Sequence, residues 1–130
     1  MIAGLGIDLV HIPRIEQAVN RWGEKFLTRI YTPLERSYCL KYRNPFQALA
    51  LRFAAKEACS KALGTGLSQG IHWHHIEITH ESTGRPVLDL SGAALLRAGD
   101  IGAFSWHVSL SHEKEYATAI VVLEGADYPA

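Results

Sequence analysis

Ser105-Trp106-His107-Val108-Ser109-Leu110-Ser111 and Tyr116-Ala117-Thr118-Ala119-Ile120-Val121-Val122-Leu123 read as two strands of a hairpin turning across His112-Glu113-Lys114-Glu115. The apolar run from Ala119 to Leu123 suits a buried strand. Outward from this hairpin, Trp73–His80 and Val87–Leu90 read as a second strand pair around a Ser82–Pro86 turn, and Ser91 caps a short helix ending near Gly99. Helices fill most of the first half of the chain and strands the second. That order predicts an α+β fold, an antiparallel sheet packed with helices, rather than a doubly wound one.

Ile2–Val10 reads as a further strand, rich in β-branched and small residues. Pro13 suits the first turn of a helix reaching about Trp22, and Thr32-Pro33 opens another near Leu34–Tyr42. The longest helix is predicted with Asn44 as N-cap and Pro45 at its first position. It runs to Leu63 and stops at Gly64, where a glycine-rich loop to Gly70 begins. No repeat or linker divides the chain. Its 130 residues are predicted to form a single domain, 1–130, with a tail from Gly125 that carries no motif.

Hydrophobic residues make up 48% and charged residues 20%, as in an ordinary globular domain. Cys39 and Cys59 are too few for a disulfide framework and read as reduced thiols. Asp8 interrupts the apolar N-terminus, which has no basic region before it and makes a poor signal peptide. No apolar stretch reaches the roughly 18–20 residues of a membrane span. A cytoplasmic location with no membrane partner is therefore expected. Thirteen basic and thirteen acidic residues give zero formal net charge, which argues against a dedicated nucleic-acid binder. The balance hides an asymmetry, since residues 1–61 carry 10 basic and 5 acidic residues while residues 62–130 carry 3 and 8.

Two acids break their local pattern. Alternation along the first strand places Gly4, Gly6, Asp8 and Val10 on one face and Leu5, Ile7 and Leu9 on the other. Asp8 thus shares its face with residues that have no side chain, which predicts room beside the carboxylate. Glu57 continues the helical stripe of Phe46, Leu49 or Ala50, and Phe53. Each acid has a plain alternative: an edge position or structural ion pair for Asp8, and a one-turn salt bridge to Lys61 for Glu57. Taken together, two inward carboxylates suit a hard cation such as Mg²⁺, which completes its shell with waters and substrate phosphates. Arg52, Lys56 and Lys61 share the helix, and residues 36–61 hold six basic residues. That basicity fits a phosphorylated ligand, or simply a solvated face.

His112, taken singly, reads as a surface histidine more readily than a catalytic one. Ser111 and His112 point to opposite faces if extended, which is poor geometry for a nucleophile and base. His72, His74, His75 and His80 invite a zinc reading, but no cysteine or second ligand pair stands at a usual spacing. A polar, half-exposed strand explains them more simply. Gly64-Thr65-Gly66 follows a helix instead of opening one, so it is no phosphate loop of the usual kind.

Gly6-Ile7-Asp8, Phe53-Ala54-Ala55-Lys56-Glu57-Ala58, Lys61-Ala62-Leu63-Gly64-Thr65-Gly66, Thr83-Gly84-Arg85-Pro86 and Ser109-Leu110-Ser111-His112 occur in the order seen in 4′-phosphopantetheinyl transferases. The chain resembles the short, single-domain class of that family over about residues 2–123. The resemblance implies transfer of 4′-phosphopantetheine from coenzyme A to a serine of apo acyl carrier protein, releasing adenosine 3′,5′-bisphosphate and supporting fatty acid biosynthesis. It implies that Asp8 and Glu57 hold Mg²⁺ and that Lys61, with them, forms the catalytic set. It places Arg52, Lys61, Gly64, Gly84, Arg85, Pro86 and His112 on coenzyme A, and leaves the general base open among Glu57, Asp8 and a metal-bound water.

The partner surface is readable separately. Arg14 and Arg21, seven residues apart, share a helix face, with Lys25 and Arg29 beyond. Such a face suits an acidic carrier protein, or it is ordinary surface arginine. The resemblance further implies a homotrimer with sites at subunit interfaces. The rival readings are a metal-dependent phosphodiesterase or nucleotidase that hydrolyses coenzyme A, and a non-catalytic module that binds coenzyme A or the carrier.

Overall fold

A computed structural model describes residues 1–127; of the motif-free tail, residues 128–130 lie outside the described residues. The chain order is β1 (Ile2–His11), α1 (Ile12–Trp22), α2 (Glu24–Ile30), α3 (Pro33–Leu40), α4 (Phe46–Ala62), a 3₁₀ turn (Trp73–His75), β2 (Ile76–His80), β3 (Pro86–Leu90), α5 (Gly92–Asp100), β4 (Ala103–Glu113) and β5 (Tyr116–Gly125). β1, β5 and β4 form an antiparallel sheet in the order β1-β5-β4, and β2 and β3 form a separate antiparallel hairpin. The α+β class expected from the order of strands and helices is the observed one.

α4 is the hub. It is buried on nearly every side through Leu49, Ala50, Ala54, Ala55, Ala58, Cys59 and Ala62, the condition of a helix inside a core. Its alanines bring its backbone onto the inner face of the larger sheet, which β5 lines with Ala117, Ala119, Val121 and Leu123. β1 faces the helix with glycines. A Cβ on Gly6 would stand 1.9 Å from the Ala58 carbonyl oxygen, and one on Gly4 would stand 2.2 Å from that of Ala62. The room predicted beside Asp8 on this face is therefore occupied by the backbone of α4.

Several boundaries differ from the sequence-based expectation for local reasons. α4 starts at Phe46, with Pro45 in the cap position, and Asn44 Oδ1 accepts from the Phe46 N–H at 3.2 Å. Ser91 precedes α5, but its hydroxyl makes no capping bond. The first residues of the expected Trp73–His80 strand form a 3₁₀ turn, in which His75 Nδ1 accepts from the His72 N–H at 3.1 Å. The final hairpin turns on Lys114 and Glu115 alone, with Lys114 at φ +55°, so His112 belongs to β4 and not to the turn. α2 was not expected. Gly23, at φ +55°, breaks α1 and lets Phe26, Leu27 and Ile30 return to the core. Cys39 and Cys59 are free, buried thiols.

Candidate active site

Asp8 projects from β1 towards α4, where Lys61 Nζ stands 3.0 Å from Asp8 Oδ1 and also donates to the Ile7 carbonyl at 3.0 Å. Lys61 thus pairs with the acid on the strand, not with Glu57 one turn before it on its own helix. Glu57 lies half-buried beside Asp8 on the wall of the same cavity, of about 340 Å³. Burial and then the Asp8 carboxylate raise its pKa above the ordinary value, against the opposing pull of Lys61. Two convergent carboxylates with one ammonium between strand and helix fit a hard divalent cation that takes its remaining oxygens from water and phosphate. Among the described residues, no three or more His, Cys, Asp or Glu side chains gather into a metal cluster.

Arg14, from α1, lines the cavity that Asp8 and Glu57 share. Arg21 lies exposed two turns on, its guanidinium 4.8 Å from the Trp22 ring centroid. Lys25 is exposed on α2, across the Gly23 break.

A second group of expected residues lies on the far side of α4. Arg52 precedes Glu57 by five positions, about 140° around a helix of 3.6 residues per turn. Its guanidinium lies 4.2 Å from the Tyr38 ring centroid and bonds His80 Nδ1 at 3.0 Å. The cavity there, of about 210 Å³, is lined by Tyr38, Tyr42, Gln47, Arg52 and His80 among others. At its neighbouring end, Gln47 Nε2 and His112 Nδ1 are 2.9 Å apart. His112 pairs across β5 with buried Ala117 and so lies on the helix side of the sheet; Ser111, paired with Thr118, points the other way.

The remaining expected residues occupy other places. Gly64, at φ +79°, ends α4, and Gly84, at φ +91°, makes the β2–β3 turn. Arg85 and Pro86 line a third cavity with β4 residues from Phe104 to Val108. Lys56, grouped by sequence with the phosphate-facing cations, is fully buried and paired with Glu35 at 2.7 Å. The four histidines of residues 72–80 disperse. His72 and His75 adjoin, His74 Nε2 bonds the Thr28 carbonyl at 2.7 Å, and His80 stacks on Tyr38. Tyr38, Gln47 and Glu35 were missed as site or support residues, and His80 was weighed only as a zinc ligand, since no local spacing in the sequence brings them together.

Residues 4–121 match the family described as the 4′-phosphopantetheinyl transferase superfamily. The holo-[acyl-carrier-protein] synthase of Solidesulfovibrio magneticus is 54% identical over 125 residues, covering 96% of this chain and all of the relative. That of Koribacter versatilis is 48% identical, covering 95% and 99%. The crystal structure of the Neisseria meningitidis holo-[acyl-carrier-protein] synthase superposes with a TM-score of 0.86 at 37% identity, covering 95% of this chain and 99% of that one. The Helicobacter pylori enzyme, solved in complex with coenzyme A, superposes with a TM-score of 0.82 at 36% identity, covering 92% and 99%. The chain belongs to the 4′-phosphopantetheinyl transferase superfamily. Within it, its place is with the enzymes of the holo-[acyl-carrier-protein] synthase group. Among the described residues, no helix is long and apolar enough to cross a membrane.

Proposed function

We propose that this chain, acting as one domain over residues 1–130, transfers 4′-phosphopantetheine from coenzyme A to a serine of apo acyl carrier protein. The reaction is Mg²⁺-dependent, leaves adenosine 3′,5′-bisphosphate, and serves fatty acid biosynthesis in the cytoplasm. The observation that carries this reading is the convergence of Asp8, Glu57 and Lys61 at a cavity that Arg14 also lines.

Asp8 and Glu57 are the residues that would hold Mg²⁺. The chemistry it supplies when bound is neutralisation of pyrophosphate charge and polarisation of the phosphorus under attack. Lys61, already held by Asp8 and the Ile7 carbonyl, offers its ammonium to the phosphates. The serine oxygen displaces the bisphosphate from phosphorus, and its proton passes to one of the two carboxylates or to water. Arg52, His112, Gly64 and the Gly84-Arg85-Pro86 turn bind the nucleotide portion. Arg14, Arg21 and Lys25 receive the acidic carrier.

Asp8 and Glu57 line one cavity beside α4, while Arg52 lines a different one, whose wall residue Gln47 meets His112. One chain therefore presents two part-sites. The outer face of the larger sheet exposes Leu5, Ile7 and Leu9 at 58%, 62% and 65%, with Ile120 beside Ile7. An apolar sheet face of this kind favours burial against other chains. Both features support assembly of several copies, which we take to be a homotrimer, in which one subunit's carboxylates meet another's basic pocket.

The test is to incubate the chain with coenzyme A, Mg²⁺ and an apo carrier protein and then weigh the carrier. A gain of one phosphopantetheine group is the expected result. Free phosphopantetheine would instead establish a hydrolase, and absence of turnover a binding module. Light scattering on the same sample reads the subunit count.

A further inference from the structure

Arg52 is a buried cation without a protein anion. Its residue is only 2% exposed, and no carboxylate pairs with it among the described residues. A guanidinium carries five N–H donors. Here Nη1 donates to the Ala48 carbonyl at 3.3 Å, Nη2 to His80 Nδ1 at 3.0 Å, and Nε has no partner. A buried charge left in this state is costly unless an anion completes it. The side chain lines the 210 Å³ cavity, so a ligand can reach it.

Among the described residues, His80 is the side-chain hydrogen-bond acceptor to this guanidinium, and the buried Cys39 thiol also stands near it. Its ring lies 4.8 Å from that of Tyr38 and within 11° of parallel, and Tyr38 also lies 4.2 Å from the guanidinium carbon. Three planar groups from α3, α4 and β2 thus fix one another. We propose that His80 is a positioning residue for Arg52: the neutral imidazole, braced on Tyr38, holds the guanidinium so that its unused donors meet a phosphate of coenzyme A.

The neutral form is required because only a ring nitrogen with a free lone pair accepts. Burial, then Arg52, then Lys41, lower the His80 pKa below the ordinary histidine value, which keeps that form present at neutral pH. The charged and titratable groups around the ring are Arg52 from α4, Tyr38 and Lys41 about α3, Tyr42 beyond it, and Glu81 beside it on its own segment.

This inference rests on the transferase reading above, and the experiment separates the two. Binding of adenosine 3′,5′-bisphosphate is measured by calorimetry, and KM for coenzyme A and for the carrier by kinetics, in the full chain and two variants. His80→Phe keeps a ring against Tyr38 but has no acceptor. His80→Asn keeps an acceptor at the same distance from the backbone but has no ring. His80→Phe is expected to weaken bisphosphate binding and raise the coenzyme A KM by roughly tenfold, the scale of a lost hydrogen bond to a charged group. His80→Asn is expected to stay within about twofold of the parent, and the carrier KM to hold in both. Parent-like binding by His80→Phe, or binding by His80→Asn as weak as that of His80→Phe, would overturn the positioning role while leaving the transferase reading intact. A parent chain that neither binds the bisphosphate nor modifies the carrier overturns both.

Discussion

Lys56 Nζ stands 2.7 Å from Glu35 Oε1, and neither side chain has exposed surface. Lys56 also donates to the carbonyls of Trp73 and Ile76, while Glu35 accepts from the N–H groups of Thr32 and Ile78 at 2.9 Å each. The pair ties α3, α4 and β2 into one unit. It also explains how adjacent residues of one motif part company: successive helical positions point about 100° apart. Lys56 therefore enters the core while Glu57 meets Asp8.

Removing one member of such a pair leaves the other charge buried. Burial is already the dominant influence on Lys56, lowering its pKa from the ordinary value, with Glu35 opposing it. Lys56→Met is expected to cost about 3–5 kcal/mol, the scale measured for broken buried pairs. Glu35→Gln with Lys56→Met should cost clearly less than the sum of the two single changes. Urea unfolding of all four proteins checks this, and simple additivity would show that the two side chains are not coupled.

Gly6 opens the Gly6-Ile7-Asp8 motif for a packing reason. An added Cβ would fall 1.9 Å from the Ala58 carbonyl oxygen, a backbone atom of a buried helix that cannot move aside cheaply. Gly6→Ala is expected to destabilise the fold by about 3 kcal/mol or more, at the upper end of overpacking costs. Gly99, in α5, whose Cβ position is open and whose φ is not positive, makes a useful contrast for steric cost. Thermal unfolding that left Gly6→Ala unchanged would mean that β1 and α4 are less closely seated than described.

The Asp8–Glu57 pair predicts a conflict between stability and activity. Burial and Asp8 raise the Glu57 pKa. A carboxyl whose folded pKa is raised binds its proton more readily in the folded state, so stability falls as pH rises from the ordinary 4.5 through the folded value. Glu57→Gln removes that dependence. Without metal it should be more stable than the parent above the raised pKa, by about 0.5 kcal/mol for so solvent-screened a pair, and equal to it below pH 4.5. Mg²⁺ should raise the melting temperature of the parent and not of the variant, and carrier modification should be lost. A parent-like response of the variant to Mg²⁺ would remove Glu57 from the metal site.

Much of this arrangement was legible in the sequence because it is carried by periodicity. The alternation of β1 separates Gly6, Asp8 and Val10 from Leu5, Ile7 and Leu9, and α4 ends near Gly64 as expected. Side chains whose role depends on distant elements were not legible. Arg52 and Lys56 look alike on a helix, yet one meets Tyr38 and His80 and the other meets Glu35. α2 is not legible in the sequence because the break at Gly23 rests on one positive φ. Asp8 and Glu57 could be singled out because an acid on an apolar stripe is anomalous by itself, whereas Tyr38 and His80 are anomalous only together.

The outer face of the larger sheet gives a test of assembly independent of the site. Ile7 pairs with Ile120 across β1 and β5, and Leu5 and Leu9 flank Ile7 on the same face. None of these side chains touches α4, so Ile7→Lys should leave the protomer folded while burying a charge in any sheet-to-sheet contact. Light scattering is expected to show a smaller species, and, if the proposed part-sites meet only across subunits, carrier modification should fall by at least tenfold. A monomeric Ile7→Lys protein with full activity would show that one chain holds a complete site.

Arg21 offers the cleanest probe of carrier docking. Arg14 lines the cavity of Asp8 and Glu57, so reversing its charge would disturb those two carboxylates as well. Arg21 lies outside that lining, exposed and resting on Trp22. A rim arginine facing an acidic protein acts mainly on encounter and register, and its effect is screened by salt. Arg21→Glu is expected to lower kcat/KM for the carrier by roughly tenfold at low ionic strength through a raised KM. The gap to the parent should narrow as salt rises, while the coenzyme A KM stays unchanged. Steady-state kinetics with each substrate varied in turn, at low and at physiological salt, decide the matter. An equal loss for both substrates, or a loss indifferent to salt, would contradict docking at this face.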